Sequence, residues 1–168
     1  KYNHDMSETS RIIEKILADI KNDPDGNIVH LEKIEEKESE YVKFPSNLNP
    51  KIKNALEKQN IYKLYSHQAE AIEKINEGKN VVIVTPTASG KSLCYNIPVA
   101  EMILTNKDSR ALYLFPTKAL SRDQCSSIEL FLKNIGNIGT AAVYDGDTPS
   151  PERKIIRDNA HCLITNPD

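Results

Sequence analysis

The chain has few of the groups that announce a metal, a disulfide or a membrane. Its three cysteines, Cys94, Cys125 and Cys162, are odd in number and far apart, which excludes a disulfide framework and a C-x-x-C zinc pair. Each lies in an apolar stretch, so they read as small buried hydrophobes in a reducing cytosol. The four histidines are scattered as widely, and no site for a structural metal is expected. No apolar run approaches the roughly 18 residues of a membrane span, and the first residues lack the basic-then-apolar layout of a signal peptide. These absences predict a cytoplasmic protein. The formal net charge of −2 excludes a generally basic coat for nucleic acid but permits a local basic groove, because the field depends on where the charges sit.

What is present suits one domain with a buried core: 168 residues, 39% hydrophobic and 27% charged. Val81-Val-Ile-Val84 is a run of β-branched residues that predicts a buried strand. It leads into Thr85-Pro-Thr-Ala-Ser-Gly-Lys-Ser92 and then an apolar stretch of helical length, Leu93–Leu104, with Pro98 placed to kink it. Strand, turn of small residues, Gly-Lys-Ser and helix is the context of a phosphate-binding loop. Such a turn points backbone N–H groups at phosphate oxygens, and the helix N-terminus adds partial positive charge. Thr87, Ala88, Ser89, Gly90, Lys91 and Ser92 are the candidate ATP cradle, with Lys91 reaching the β- and γ-phosphates and the Ser92 hydroxyl on Mg²⁺. The strict pattern G-x-x-x-x-G-K-[ST] is incomplete, since Thr85 stands where its first Gly belongs.

Upstream, Ile12, Ile13, Ile16, Leu17 and Ile20 form an apolar stripe that predicts a packing helix over Arg11–Lys21, stopped by Asn22-Asp-Pro-Asp-Gly26. Residues 31–43 are dense in Glu and Lys, a solvated linker or exposed helix, and a boundary near residue 45 divides an extension, 1–45, from a domain, 46–168. Asn49-Pro50 opens a helix. Ser66 is a candidate N-cap for another, running through Ile75 and closed at Gly78, with Gln68 in its first turn. A Gln amide can pair with N6 and N7 of adenine, and a nearby Tyr ring can pack on the base. Strands are predicted at Arg110–Phe115, Thr140–Tyr144 and His161–Thr165, with helices to about Lys133 and over Pro151–Asn159. This alternation predicts an α/β fold, a parallel sheet flanked by helices. Ligands of such sheets gather beyond the C-terminal strand ends, where 85–92, 116–120, 145–149 and 165–168 fall.

These segments resemble, in order, motifs of the first RecA-like domain of superfamily 2 helicases, the DEAD/DEAH-box group in the broad sense, and most of all its YprA-like branch, relatives of RecQ-type DNA helicases. Leu64-Tyr-Ser-His-Gln-Ala-Glu-Ala-Ile72 is similar to the Q motif, Thr85–Ser92 to motif I, Phe115-Pro-Thr-Lys-Ala-Leu120 to motif Ia and Thr165-Asn-Pro-Asp168 to motif Ib. Tyr144-Asp-Gly-Asp-Thr-Pro149 falls where the branch carries a characteristic loop. The resemblance implies a RecA-like P-loop NTPase fold with Lys91 catalytic, Lys91 and Ser92 on phosphate and Mg²⁺, and Gln68 reading adenine beside Tyr65. It implies that Pro116, Thr117, Lys118, Thr165, Asn166 and Pro167 touch the sugar-phosphate backbone of a single strand, DNA in preference to RNA. A 3′-to-5′ DNA helicase acting in DNA repair is the implied parent, with a cysteine-rich zinc domain further on.

The family's D-E-x-[DH] motif, which supplies the Mg²⁺-binding Asp and the water-orienting Glu, occurs nowhere in the sequence. The chain is therefore expected to be an inactive piece that binds nucleotide weakly, with a gap in its sheet. The alternatives are a DEAD-box RNA helicase, a P-loop kinase and a non-catalytic interaction module. Tyr65-Ser-His-Gln68 replaces the P-T-P-I-Q of the first, and Leu93–Leu104 lacks the Arg and Asp cluster of the second.

Overall fold

The structure is a computed structural model that describes residues 8–21, 40–87 and 89–167. These fall into two units, Lys1–Glu38 and Ser39–Asp168. In the first, helix α1 (Glu8–Lys21) begins three residues before the predicted start. Its stripe stays open, with Ile12, Ile13 and Ile16 exposed. The predicted turn at 22–26 and most of the charged segment at 31–43 lie outside the described residues.

In the second unit a two-residue strand, β1 (Tyr41–Val42), pairs antiparallel with β2 (Leu64–Tyr65). Helix α2 (Pro50–Glu57) starts as predicted: the Asn49 side chain accepts from the Lys51 N–H at 2.9 Å, and Pro50 occupies the first turn. Helix α3 (Ser66–Asn76) has Tyr65, not Ser66, as its N-cap. Gly78, at φ +76°, follows it in the left-handed conformation that ends a helix. Helix α4 (Ser92–Thr105) continues across Pro98 as one helix.

Then come β3 (Ala111–Leu114), α5 (Lys118–Gly136), β4 (Ala141–Val143), α6 (Ser150–Asn159) and β5 (Cys162–Thr165). The three strands form a parallel sheet in the order β3-β5-β4, with Leu112 and Ala142 both in register with Leu163. The predicted α/β class is the observed one. Arg110 secures the entry to β3 by donating to the carbonyls of Arg157 and Asp158, both at 2.6 Å, which cap the end of α6.

The predicted strand Val81–Val84 forms no ladder. Its residues alternate half-buried and exposed, as a strand's would, but Val82 and Val84 stand 88% and 89% exposed. A β-run becomes a strand only when a neighbour takes its N–H and C=O groups, and none of the described strands does so here. β3 is likewise an edge, paired on one side with β5, and Leu112 and Leu114 face out from it.

Two clusters hold this unit together. Ile52, Leu56, Leu64, Ile72, Ile97 and Phe131 join α2, α3, α4 and α5. Ile103, Tyr113, Ile128, Leu132, Cys162 and Ile164 join α4 and α5 to the sheet. Cys94, Cys125 and Cys162 are free and buried, as read from the sequence, and burial pushes the thiols of Cys125 and Cys162 up to about 11. The buried Tyr113 hydroxyl donates to Asn96 Oδ1 at 3.1 Å, tying β3 to α4. Burial raises its pKa well above the usual tyrosine value. Leu132 is 1% exposed, so Leu132→Ala is expected to cost about 2–5 kcal/mol in chemical denaturation. A cost below about 1 kcal/mol would show that α5 does not close this core.

Candidate active site

The site is built around Gln68. Its Oε1 accepts from the Tyr65 N–H at 2.9 Å, reaching back to cap α3 from the third helical position. Its Nε2 donates to the Gly90 carbonyl at 2.7 Å. The side chain is 2% exposed, so the Q-motif stretch and the Gly-Lys-Ser loop are joined through one buried amide. His67 adds a second tie, with Nε2 3.0 Å from the Ser89 carbonyl. Gly90 sits at φ +71°, and a Cβ built on it would lie 2.5 Å from Gln68 Nε2. Glycine is required twice over, by backbone conformation and by the approach of Gln68.

Lys91 precedes α4 and folds into the loop. Its ammonium donates to the carbonyls of Thr85 at 2.9 Å and Pro86 at 2.5 Å, and to the hydroxyls of Thr85 and Ser89, each at 3.3 Å. The two hydroxyls are themselves 2.6 Å apart. Thr85, which replaces the expected Gly, therefore has a use: its carbonyl and hydroxyl hold the lysine. Thr87 is exposed, Ser92 opens α4 half-buried, and Ala88 lies outside the described residues.

Beside Gln68 and Gly90 opens a cavity of about 670 Å³, lined also by Tyr41, Tyr62, Tyr65 and Leu93. Tyr65 stacks on Tyr41 at 4.8 Å between ring centroids and on His67 at 5.5 Å. The Tyr41 and Tyr65 hydroxyls share a hydrogen bond at 3.3 Å, and the neighbouring Tyr41 hydroxyl is the main reason the Tyr65 pKa is raised. An amide has two acceptor lone pairs and two N–H donors. The two bonds at Gln68 leave one of each, enough for the adenine N6 and N7 edge.

The second half of the candidate site lies at the C-terminal ends of the parallel strands. After β3, Pro116 and Thr117 are exposed, and Thr117 caps α5 by accepting from the Leu120 N–H at 3.2 Å. Lys118 Nζ reaches across to Asp147 Oδ1 at 2.9 Å. After β5, the Thr165 carbonyl accepts from the Phe115 N–H at 3.0 Å, and Pro167 is exposed. Asn166 is 5% exposed, and its amide oxygen and nitrogen find no hydrogen-bond partner among the described residues. The structure therefore brings 116–118, 145–149 and 165–167 to one sheet edge. The loop at 85–91 is held through Gln68 and α4, not through a ladder. Sequence reasoning missed Tyr41, His67, Arg122 and Asp147. The last had a signal, the Asp-Gly-Asp stretch at a strand end, whereas nothing in the order of residues places Tyr41 on Tyr65.

Residues 65–168 match the family model for DEAD/DEAH box helicases. The chain is 41% identical to the ATP-dependent helicase YprA of Bacillus subtilis over 93% of its own length and 21% of that protein. It is 40% identical to the ATP-dependent helicase HRQ1 of Saccharomyces cerevisiae over 85% of its length and 13% of that protein. The crystal structure of the DUF1998 helicase MrfA bound to DNA and AMPPNP superposes with a TM-score of 0.84 at 41% identity, covering 92% of this chain and 21% of that one. The chain thus spans about a fifth or less of the length of these relatives. With the Gly-Lys-Ser loop, the capping glutamine and the strand-end motifs in one parallel α/β unit, the chain belongs to the DEAD/DEAH box helicase family.

Proposed function

We propose that this chain is the ATP-binding and strand-gripping part of a 3′-to-5′ DNA helicase that processes strands in DNA repair. The observation that carries the reading is the buried Gln68 amide, which joins a tyrosine-lined cavity to the loop that holds Lys91. Adenine fits the cavity against the tyrosine rings, with its N6 and N7 edge on the free donor and acceptor of Gln68. Lys91 exchanges its loop carbonyls for β- and γ-phosphate oxygens. Ser92, at the first position of α4, would offer its hydroxyl to Mg²⁺. Bound ATP supplies the phosphoanhydride whose cleavage drives movement. Without a D-E-x-[DH] sequence in residues 1–168, these residues bind nucleotide but do not orient the attacking water.

Thr117, Lys118 and the backbone around Thr165–Pro167 hold sugar-phosphate without reading bases, as a translocating motor requires. Asn166 contributes from below this surface, its unpartnered amide able to fix whichever backbone group covers it. The choice of DNA rests on the likeness to MrfA, whose crystal structure holds DNA. ATP hydrolysis by the full-length protein, with single-stranded DNA or RNA of equal length, tests all of this. Stimulation by DNA alone is expected. Stimulation by RNA alone would keep the motor and overturn the choice of strand, and no stimulation by either would leave an ATPase without a nucleic-acid grip.

A further inference from the structure

The strongest unexplained arrangement lies beside the motif Ia lysine. Lys118 and Arg122 are four residues apart on α5 and project from one face of it. Both reach the same carboxylate: Lys118 Nζ takes Asp147 Oδ1 at 2.9 Å, and Arg122 Nη2 takes Oδ2 at 3.3 Å. One oxygen for each cation is also how two cations would share the two non-bridging oxygens of a phosphodiester.

The acid is presented by a built loop. Asp145 Oδ1 accepts from the Asp147 N–H at 2.9 Å, and the Thr148 hydroxyl accepts from the Asp145 N–H at 2.9 Å. Behind them, Arg153 of α6 donates to the carbonyls of Thr148 at 2.9 Å and Asp145 at 3.2 Å, and its guanidinium lies over the Tyr144 ring. The hydrogen bond from Lys118 and the charges of Lys118 and Arg122 hold the Asp147 carboxyl below the usual range. Arg122 and Asp147 remain largely solvent-accessible and Lys118 partly so, so an incoming anion can compete. The buried, unpartnered amide of Asn166 and the cap of α5 lie at the ends of the neighbouring strands β5 and β3.

We propose that Asp147 stands in for a backbone phosphate, holding Lys118 and Arg122 as a two-pronged clamp until a single strand displaces it. Arg122 is then a nucleic-acid-binding residue, and Asp147 is a positioning residue that sets the threshold for binding. This rests on the reading that the strand-end loops grip a single strand.

The test is binding of a fluorescein-labelled oligothymidylate to the full-length protein across a series of salt concentrations. Asp147→Asn is expected to tighten binding about two- to fivefold, the range for releasing an exposed ion pair. Asp158→Asn, the same charge change at an exposed position of α6, should leave it unchanged. Arg122→Ala should weaken binding and flatten the slope of log K against log salt by about 0.7, one phosphate contact on a single strand. Adding Asp147→Asn to a Lys118→Ala, Arg122→Ala background should give no gain. If the wild type binds but Asp147→Asn binds equally or more weakly, the stand-in is refuted while the grip survives. An unchanged salt slope in Arg122→Ala would refute the clamp. A wild type that fails to bind would overturn both this inference and the reading on which it rests.

Discussion

Lys91→Ala is expected to weaken nucleotide binding by the full-length protein roughly hundredfold or more, and to reduce hydrolysis to background. A single ammonium aimed at the β- and γ-phosphates makes charge-assisted bonds about twice as strong as neutral ones, in a site partly shielded from water. In this structure that ammonium is satisfied by Thr85 and Pro86 carbonyls and by the Thr85 and Ser89 hydroxyls. On the proposed reading, nucleotide would have to outcompete the loop's own acceptors for Lys91. Alanine removes both the phosphate contact and the group that holds those carbonyls together. Lys91→Met, which keeps the stem and loses the charge, should behave as alanine does. Titration with a fluorescent ATP analogue, alongside circular dichroism to confirm folding, separates lost binding from lost structure. Binding within about threefold of wild type (a change below ~0.7 kcal/mol) would show that the loop is not the phosphate cradle and would favour an interaction module.

Much of this could be read from the sequence because the signals are local. The Asn49-Pro50 start of α2, the helices following each strand and the Gly-Lys-Ser turn depend on neighbours within a few residues, and the structure places them within a residue or three of expectation. The strand at Val81–Val84 was not decidable in that way. Its composition is right, but ladder bonds come from a partner, and no described strand lies beside it. The same reason hid β1, whose two residues carry no pattern until Leu64 and Tyr65 lie alongside. At the site, the identities of Gln68, Gly90 and Lys91 were legible, but their mutual geometry was not. Gln68 looked like a base reader, and it also spans 22 residues to lock onto the Gly90 carbonyl. From the sequence Asp147 is only one residue of a strand-end loop; the fold brings Lys118 and Arg122, 29 and 25 residues away, onto it.

Gly90→Ala tests that locking. The substitution should destabilise the protein by about 1–2 kcal/mol, because φ +71° is a left-handed conformation that a Cβ disfavours. It should also weaken nucleotide binding by about tenfold, or ~1.4 kcal/mol, for a separate reason. The new methyl would lie 2.5 Å from Gln68 Nε2, and Gln68, 2% exposed, cannot retreat without breaking its bonds to the Gly90 carbonyl and the Tyr65 N–H. The flexible end of a side chain ordinarily yields to a methyl at little cost; here it yields only by leaving a buried amide unpaired. The two contributions separate in a double-mutant cycle. In a Gln68→Ala background the clash is gone, so Gly90→Ala should keep only the backbone part of its stability cost while losing most of its effect on binding. Additive effects on binding would mean that Gln68 and Gly90 act independently. The amide would then be a helix cap that happens to touch the loop, and the coupling between the adenine cavity and the phosphate cradle would have to be sought at His67 and Ser89.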